Sequence, residues 1–194
     1  MPSLPAIDIP AEVLRRAQAG DSDAHECLYR LLSRPVYTLI RRLVIRPAVA
    51  EDLLQDVFVE ILRSVHRYSG TGSFVGWVKS IAVTRALMYL RSPWHRGLTW
   101  LAAEDFSARE ETSTAMAESL DAGLERALEA LPAATRAIVW LHDVEGYTHA
   151  EIARFFQRTP SFSKSQLARA HHQLRASLQP QSGALACTPL TKNC

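Results

Sequence analysis

The sequence predicts an all-α fold: two small helical domains joined by a flexible acidic linker. Three observations carry this. Apolar residues recur at steps of one, three and four through most of the chain, the signature of one buried helix face. Cap and breaker residues punctuate these runs at helical lengths. Between Leu98 and Ser119 the periodicity lapses, and six Ser/Thr and five acidic residues take its place, a composition that reads as a linker. The expected organisation is an N-terminal arm (1–10), a first helical domain (11–97), the linker (98–119), a second helical domain (120–178) and a disordered tail (179–194).

In the first domain, residues 11–20 read as a short amphipathic helix. Asp21 to Asp23 then form a capping signal, with Glu26 placed to complete a capping box from Asp23, and a helix runs through Cys27, Leu28, Leu31 and Leu32 to Pro35, which is expected to end or kink it. Cys27 lies on the apolar face and reads as core packing. Val36, Leu39, Ile40 and Leu43 continue that face, and Pro47 resets the chain. Leu53, Leu54, Val57, Phe58, Ile61, Leu62 and Val65 then mark the inner face of a helix whose outer face carries Asp52, Gln55, Asp56 and Glu60. Asp52, Asp56 and Glu60 fall at i, i+4 and i+8 with no basic residue four positions on; each such like-charge pair destabilises a helix by about 0.2–0.5 kcal/mol. The line fits either a solvated face or a docking surface for a cationic partner. Next comes a polar loop with Gly70 and Gly72, then a helix with Phe74, Trp77, Val78 and Ile81 on one face and Lys79, Arg85 and Arg91 elsewhere. Trp77 and Ile81 read as core, whereas Tyr68 and Trp94 read as freer for stacking on bases.

In the second domain, Leu120, Leu124, Ala127, Leu128 and Leu131 mark a helix that Pro132 ends. A second runs over 133–144, stopped at Glu145-Gly146. Thr148 caps a third, with Glu151 completing a capping box; Ile152, Phe155 and Phe156 face inward. Thr159, Pro160 and Ser161 form a turn and a new cap. The last helix, 162–178, carries Leu167, Ala170, Leu174 and Leu178 inside and Lys164, Arg169 and Arg175 outside. A short helix, a tight turn and a longer basic helix form the helix-turn-helix pattern, whose second helix enters the major groove.

Composition narrows the function. The net charge is only +2, yet residues 11–97 hold 13 basic and 8 acidic side chains, 98–121 hold 1 and 6, and 122–178 hold 7 and 5. Two basic blocks around an acidic connector suit two nucleic-acid-contacting modules. No apolar run reaches the ~20 residues of a membrane span, and the N-terminus lacks the basic start and apolar core of a secretory signal. Cys27, Cys187 and Cys194 form no CxxC pair and fit a reducing cytosol; with His171 and His172 they match no standard zinc spacing. No HExxH, GxSxG or P-loop is present, so no enzyme, cofactor or metal is expected.

Three segments resemble one family, the extracytoplasmic-function sigma factors, the minimal class of the sigma-70 family: AEDLLQDVFVEIL (50–62), FVGWVKSIAVTRALMYLR (74–91), and LEALPAATRAIVWLHDVEGYTHAEIARFF followed by SKSQLARAHHQLR. The resemblance spans residues 11–178 and implies a sigma2-like bundle and a sigma4-like helix-turn-helix domain. It implies that Asp52, Gln55, Asp56 and Glu60 meet the clamp helices of bacterial core RNA polymerase, and that the second domain sits at its flap. It implies that the loop with Tyr68, Ser69, Thr71 and Ser73 captures a flipped promoter −10 base, with Lys79, Thr84 and Arg85 holding the melted strand. Thr148, Ser161, Lys164, Ser165, Gln166 and Arg169 would contact the −35 element. The linker would thread the polymerase cleft, and an inhibitory anti-sigma protein is an expected partner.

The chain departs from the family pattern. Val83-Thr84 stands where Arg-Asn is usual and Met88-Tyr89 where Asp-Arg is usual, which lowers the expected phosphate contact. Gln157 replaces a turn glycine, Ser163 an apolar residue, and Gln166 a common arginine; Gln reads adenine where Arg reads guanine. A second reading stays open: a stand-alone helix-turn-helix regulator whose N-terminal domain senses a ligand or dimerises.

Overall fold

The computed structural model describes residues 7–92 and 120–178, with side chains from residue 123 onward in the second segment. The linker, Trp94 and the tail with Cys187 and Cys194 lie outside the described residues. Among those residues every regular element is helical.

The first group comprises α1 (Ala11–Gln18), α2 (Ser22–Leu43), α3 (Pro47–Ser64), a 3₁₀ turn (Val65–Arg67) and α4 (Phe74–Arg91). Helix α2 is its centre and packs on α1, α3 and α4. Leu28, Leu32, Val36, Ile40 and Leu43 make its buried stripe, at the three- and four-residue spacing expected of one face. Of the capping signal expected over Asp21 to Asp23, the first residue is the one that caps, and the Asp23–Glu26 box does not form. Asp21 is the cap, accepting from the amides of Asp23 and Ala24 at 2.9 and 3.2 Å, while Glu26 pairs with Arg30 one turn on. Pro35 does not end it; the helix runs unbroken to Leu43. Leu31 is exposed, so the apolar stripe is narrower than the composition implies, and Cys27 is only half-buried.

Pro47 opens α3 at its first position, where the missing N–H is no loss. Leu53, Val57, Phe58, Ile61 and Val65 are buried as the periodicity predicts, but Leu62 is 40% exposed. In α4 the core face is Phe74, Val78, Ala82, Val83, Ala86 and Leu87. Trp77 and Ile81 are half-buried at its edge.

The second group is α5 (Leu120–Glu129), α6 (Ala133–Val139), a π-helical turn (Trp140–Val144), α7 (His149–Phe156) and α8 (Pro160–Leu178). Helix α8 packs on α5, α6 and α7 through Leu167 and Ala170. It starts at Pro160, so Ser161 lies in its first turn rather than capping it. Leu124 and Leu178, expected inside, are 40% and 42% exposed. Two residues after the π turn comes Gly146, whose φ of +75° is open to glycine at little steric cost.

The two groups touch. Helix α2 meets α6 and α4 meets α7, and the buried residues of both groups belong to one continuous cluster. No described helix is long and apolar enough to cross a membrane.

Candidate nucleic-acid interface

Three surfaces carry the residues singled out above. The first is the outer face of α3. Asp52, Gln55 and Asp56 are exposed there, and Val59 and Leu62, 44% and 40% exposed, continue the same stripe one to two turns on. Glu60 is not on this line. Eight helical residues from Asp52 carry it about 80° round the axis, and it forms a 2.6 Å ion pair with Arg85 of α4. The acidic row is therefore relieved at Glu60, by a neighbouring helix that sequence spacing on α3 alone does not reveal. An exposed apolar pair beside carboxylates is the mixed surface that protein partners cover; Val59 and Leu62 are the residues that a simple inside–outside reading misses.

The second surface is the loop 68–73 and the exposed side of α4. Ser69 and Thr71 hydroxyls hydrogen-bond each other at 2.7 Å, and Gly70 and Gly72 take φ values of +75° and +80°, which bends the backbone outward. Ser73 caps α4 by accepting from the Gly76 amide. Ser69, Thr71 and Ser73 are exposed. Tyr68 is not the free ring expected. It is 9% exposed, packs edge-on against Phe74 at 5.2 Å and donates its hydroxyl to the Gly72 carbonyl at 2.7 Å. Its ring is an anchor for the loop, since an aromatic body buries more favourably than it stacks in water. Gln18 of α1 fixes the same corner by donating to the Tyr68 carbonyl at 2.9 Å.

On α4, Thr84 is exposed, with its hydroxyl turned back to the Ser80 carbonyl at 2.7 Å. Val83 is fully buried, so its apolar character is a packing requirement and not a missing phosphate contact. Met88 is 50% exposed. Arg85 is tied to Glu60, and Lys79 is buried against the second group, 2.5 Å from Glu145 with 16% of its side chain exposed. Lys79 is thus largely turned away from solvent, whereas Arg85 is ion-paired with 36% of its side chain exposed.

The third surface is α7, the turn 157–159 and α8. Thr148 and Glu151 form a reciprocal capping box. The Thr148 hydroxyl and amide hold the Glu151 carboxyl below its usual range. Gln157 takes the left-handed conformation, φ 53° and ψ 45°, which the glycine it replaces would adopt more readily. Ser161, Lys164, Ser165 and Arg169 then share the exposed side of α8, and His172 continues it. Gln166 is displaced from that side: it is half-buried and bonded to the Thr135 hydroxyl at 2.9 Å. Ser163 is wholly buried where an apolar residue was expected, and His149 Nδ1 meets its hydroxyl at 3.0 Å. A polar group there is tolerated because it is partnered.

A helix bundle with a mixed acidic–apolar face, beside a helix-turn-helix whose second helix presents Lys164 and Arg169, defines an all-helical protein of the DNA-reading class. Comparison with known proteins narrows the class. The model of sigma-70 region 2 matches residues 28–96, and that of sigma-70 region 4 matches residues 122–173. The chain is 31% identical over 169 residues to the RNA polymerase sigma factor CarQ of Myxococcus xanthus, covering 84% of this chain and 93% of that one. It is 27% identical to the ECF RNA polymerase sigma-E factor of Escherichia coli K12, covering 87% and 93%.

Two solved structures share the fold. One is CnrH in complex with the cytosolic domain of CnrY, at TM-score 0.51 and 17% identity, covering 88% of this chain and 97% of that one. The other is the sigma factor RpoE in complex with the anti-sigma factor NepR from Bartonella quintana, at TM-score 0.53 and 18% identity, covering 80% and 97%. The chain belongs to the sigma-70 family of RNA polymerase sigma factors, in its extracytoplasmic-function branch. Nothing in these relatives favours a stand-alone regulator.

Proposed function

We propose that this sigma factor divides promoter recognition between its three surfaces. The exposed stripe of α3, Asp52, Gln55, Asp56, Val59 and Leu62, docks core polymerase, with Glu60 supporting α3 from the side. Ser69, Thr71 and Ser73 with Thr84 take the melted −10 strand, joined by Lys79 and Arg85 when their protein partners release them. Lys164, Ser165 and Arg169 read the −35 element from α8, with Ser161 at its first turn and Thr148 at the cap of α7. Gln166 acts from the edge of this surface. The linker lies along the polymerase cleft.

The observation that supports this reading best is the geometry of 148–172: a boxed cap, a left-handed turn residue, and one cationic exposed side on the second helix. Phosphate contacts from Lys and Arg set register, and a side chain at the helix N-terminal half reaches base edges. The chain acts in the cytoplasm and has no catalytic centre of its own; polymerase supplies the chemistry. Because one solved structure of this fold is a sigma factor in complex with an anti-sigma factor, an anti-sigma partner belongs to the proposal.

Run-off transcription with purified core polymerase on sheared genomic DNA tests the reading. The wild-type chain gives promoter-directed transcripts. Asp56→Arg, at an exposed position, lowers capture of core polymerase about tenfold, which is ~1.4 kcal/mol, without shifting the thermal midpoint. A wild-type chain that yields no transcript, or an Asp56→Arg chain that binds core undiminished, removes the proposal.

A further inference from the structure

A cleft of about 160 Å³ contains none of the residues assigned above to polymerase or promoter. It is lined by Arg41 and Arg42 of α2, Glu125 and Glu129 of α5, Arg136 of α6 and Trp140 of the π turn. Each arginine is brought there by a different local cause. Arg41 and Arg42 stand in the last turn of α2, where cations suit the helix dipole. Arg41 donates from Nη1 to the Val44 carbonyl at 3.1 Å, just past the helix end. Arg42 pairs with Glu125 at 2.9 Å, and its guanidinium carbon lies 5.1 Å from the centre of the Trp140 ring. Arg136 is 7% exposed and is held by the Leu131 and Leu43 carbonyls at 3.2 and 3.3 Å. Its Nε–H is buried and meets no acceptor among the described residues.

We infer that this cleft is a binding site for a small free phosphate anion, orthophosphate or diphosphate. Buried donors are nearly always partnered, and a guanidinium donor carries charge besides, so the orphaned Nε calls for an acceptor from outside the fold. The charge fits: three guanidiniums against two carboxylates leave one positive charge in excess. The size fits as well. Sites for drug-sized ligands span about 300–1,000 Å³, so this cleft admits an ion and leaves no room for a nucleoside. Guanidinium forks arrive from two helices, and a tetrahedral oxyanion offers oxygens in several directions, whereas a carboxylate offers two in one plane. Glu125 is the competing group. Its side chain is 59% exposed against 30% for Arg42, so the pair is weak and the carboxylate turns to water when an anion takes its place.

Titration calorimetry of the full-length chain with inorganic pyrophosphate tests the site, at fixed ionic strength so that screening stays constant. One saturable site is expected. Arg41→Gln weakens it about tenfold, through loss of charge-assisted hydrogen bonding. Glu125→Gln tightens it, because the Arg42 fork is released. Glu26→Gln removes the same charge from the exposed pair with Arg30, about 24 Å along α2 from Arg42, and leaves the affinity unchanged. All three positions are outside the buried core, and circular dichroism establishes that each chain is folded.

Phenylglyoxal modification, read by peptide mass spectrometry, locates the anion. Pyrophosphate slows reaction at Arg41 and Arg42 and leaves Arg30, 76% exposed, unaffected. A short single-stranded oligonucleotide at the same phosphate concentration gives no such protection. Titration without saturation, equal affinity in the wild type and Arg41→Gln, or a gain in Glu26→Gln equal to that in Glu125→Gln overturns the site and leaves only general charge attraction. Equal protection by the oligonucleotide assigns the cleft to nucleic-acid phosphate and overturns the free anion. None of these residues takes part in the promoter contacts proposed above, so failure in the transcription test leaves this site untouched.

Discussion

Single residues decide details that helical periodicity leaves open. Gln157 is the clearest. A side chain in the left-handed region at φ 53° carries a steric penalty that glycine does not, yet the turn into α8 demands that conformation, because the Gln157 and Arg158 amides must close back on the carbonyls of Arg154 and Ala153. Gln157→Gly is expected to stabilise the fold by about 0.5–1 kcal/mol, the steric relief being partly offset by chain entropy; urea unfolding measures it, and a destabilised variant contradicts the strain. Tyr68 shows the converse. An aromatic residue in a polar loop looks available, but the Phe74 and Trp77 rings 5.2 and 5.7 Å away give it somewhere to be buried.

At the scale of elements, a polar cluster ties the π turn to both helices of the helix-turn-helix. Asp143 bonds His142 at 2.8 Å and His171 of α8 at 2.7 Å. The His142 and His149 rings stack 4.5 Å apart, and His149 reaches Ser163. Desolvation by burial, followed by the nearby His142 and Lys164 charges, lowers the His149 pKa from 6.5. The unfolded chain therefore takes up this proton at higher pH than the folded one. Stability from His149 is complete above about pH 6.5 and falls as pH drops below it. Burial raises the Asp143 pKa, but the hydrogen bonds from His171 and His142 outweigh it and the net shift is downward from 3.8; its contribution is present above that value and lost as pH falls through the lower folded value. Both groups weaken the domain on acidification, His149 first. Urea midpoints measured from pH 8 downward should decline from about pH 6.5, and His149→Gln should remove that first decline. A midpoint unchanged between pH 8 and 5 rules this out.

At the scale of the whole molecule, Arg136 bears the most weight. It is 7% exposed and donates to the Leu131 carbonyl of its own group at 3.2 Å and to the Leu43 carbonyl of the other at 3.3 Å. Burial lowers its pKa, with Glu129 opposing, although a guanidinium stays charged in any working range. Arg136→Ala strands two buried carbonyls and is expected to lose about 2–3 kcal/mol. The loss is read as a lower urea midpoint at neutral pH. An unchanged midpoint means that water replaces the guanidinium without penalty and that the seam is wetter than its burial implies.

How much of this was legible depends on the range of the interaction. Helix type, the cap at Thr148, the break at Gly146 and the exposed Asp52, Asp56, Lys164 and Arg169 follow from the sequence, because each is set within one or two turns of backbone. The family is legible for the same reason: its motifs are contiguous runs. What only the tertiary structure decided is which charged groups are already engaged. Lys79 meets Glu145 across 66 residues, Arg85 meets Glu60 across 25, and Arg136 meets Leu43 across 93. Local periodicity reports the direction in which a side chain leaves its own helix. It carries no record of the second helix that waits there, and burial of an ion pair is a property of both.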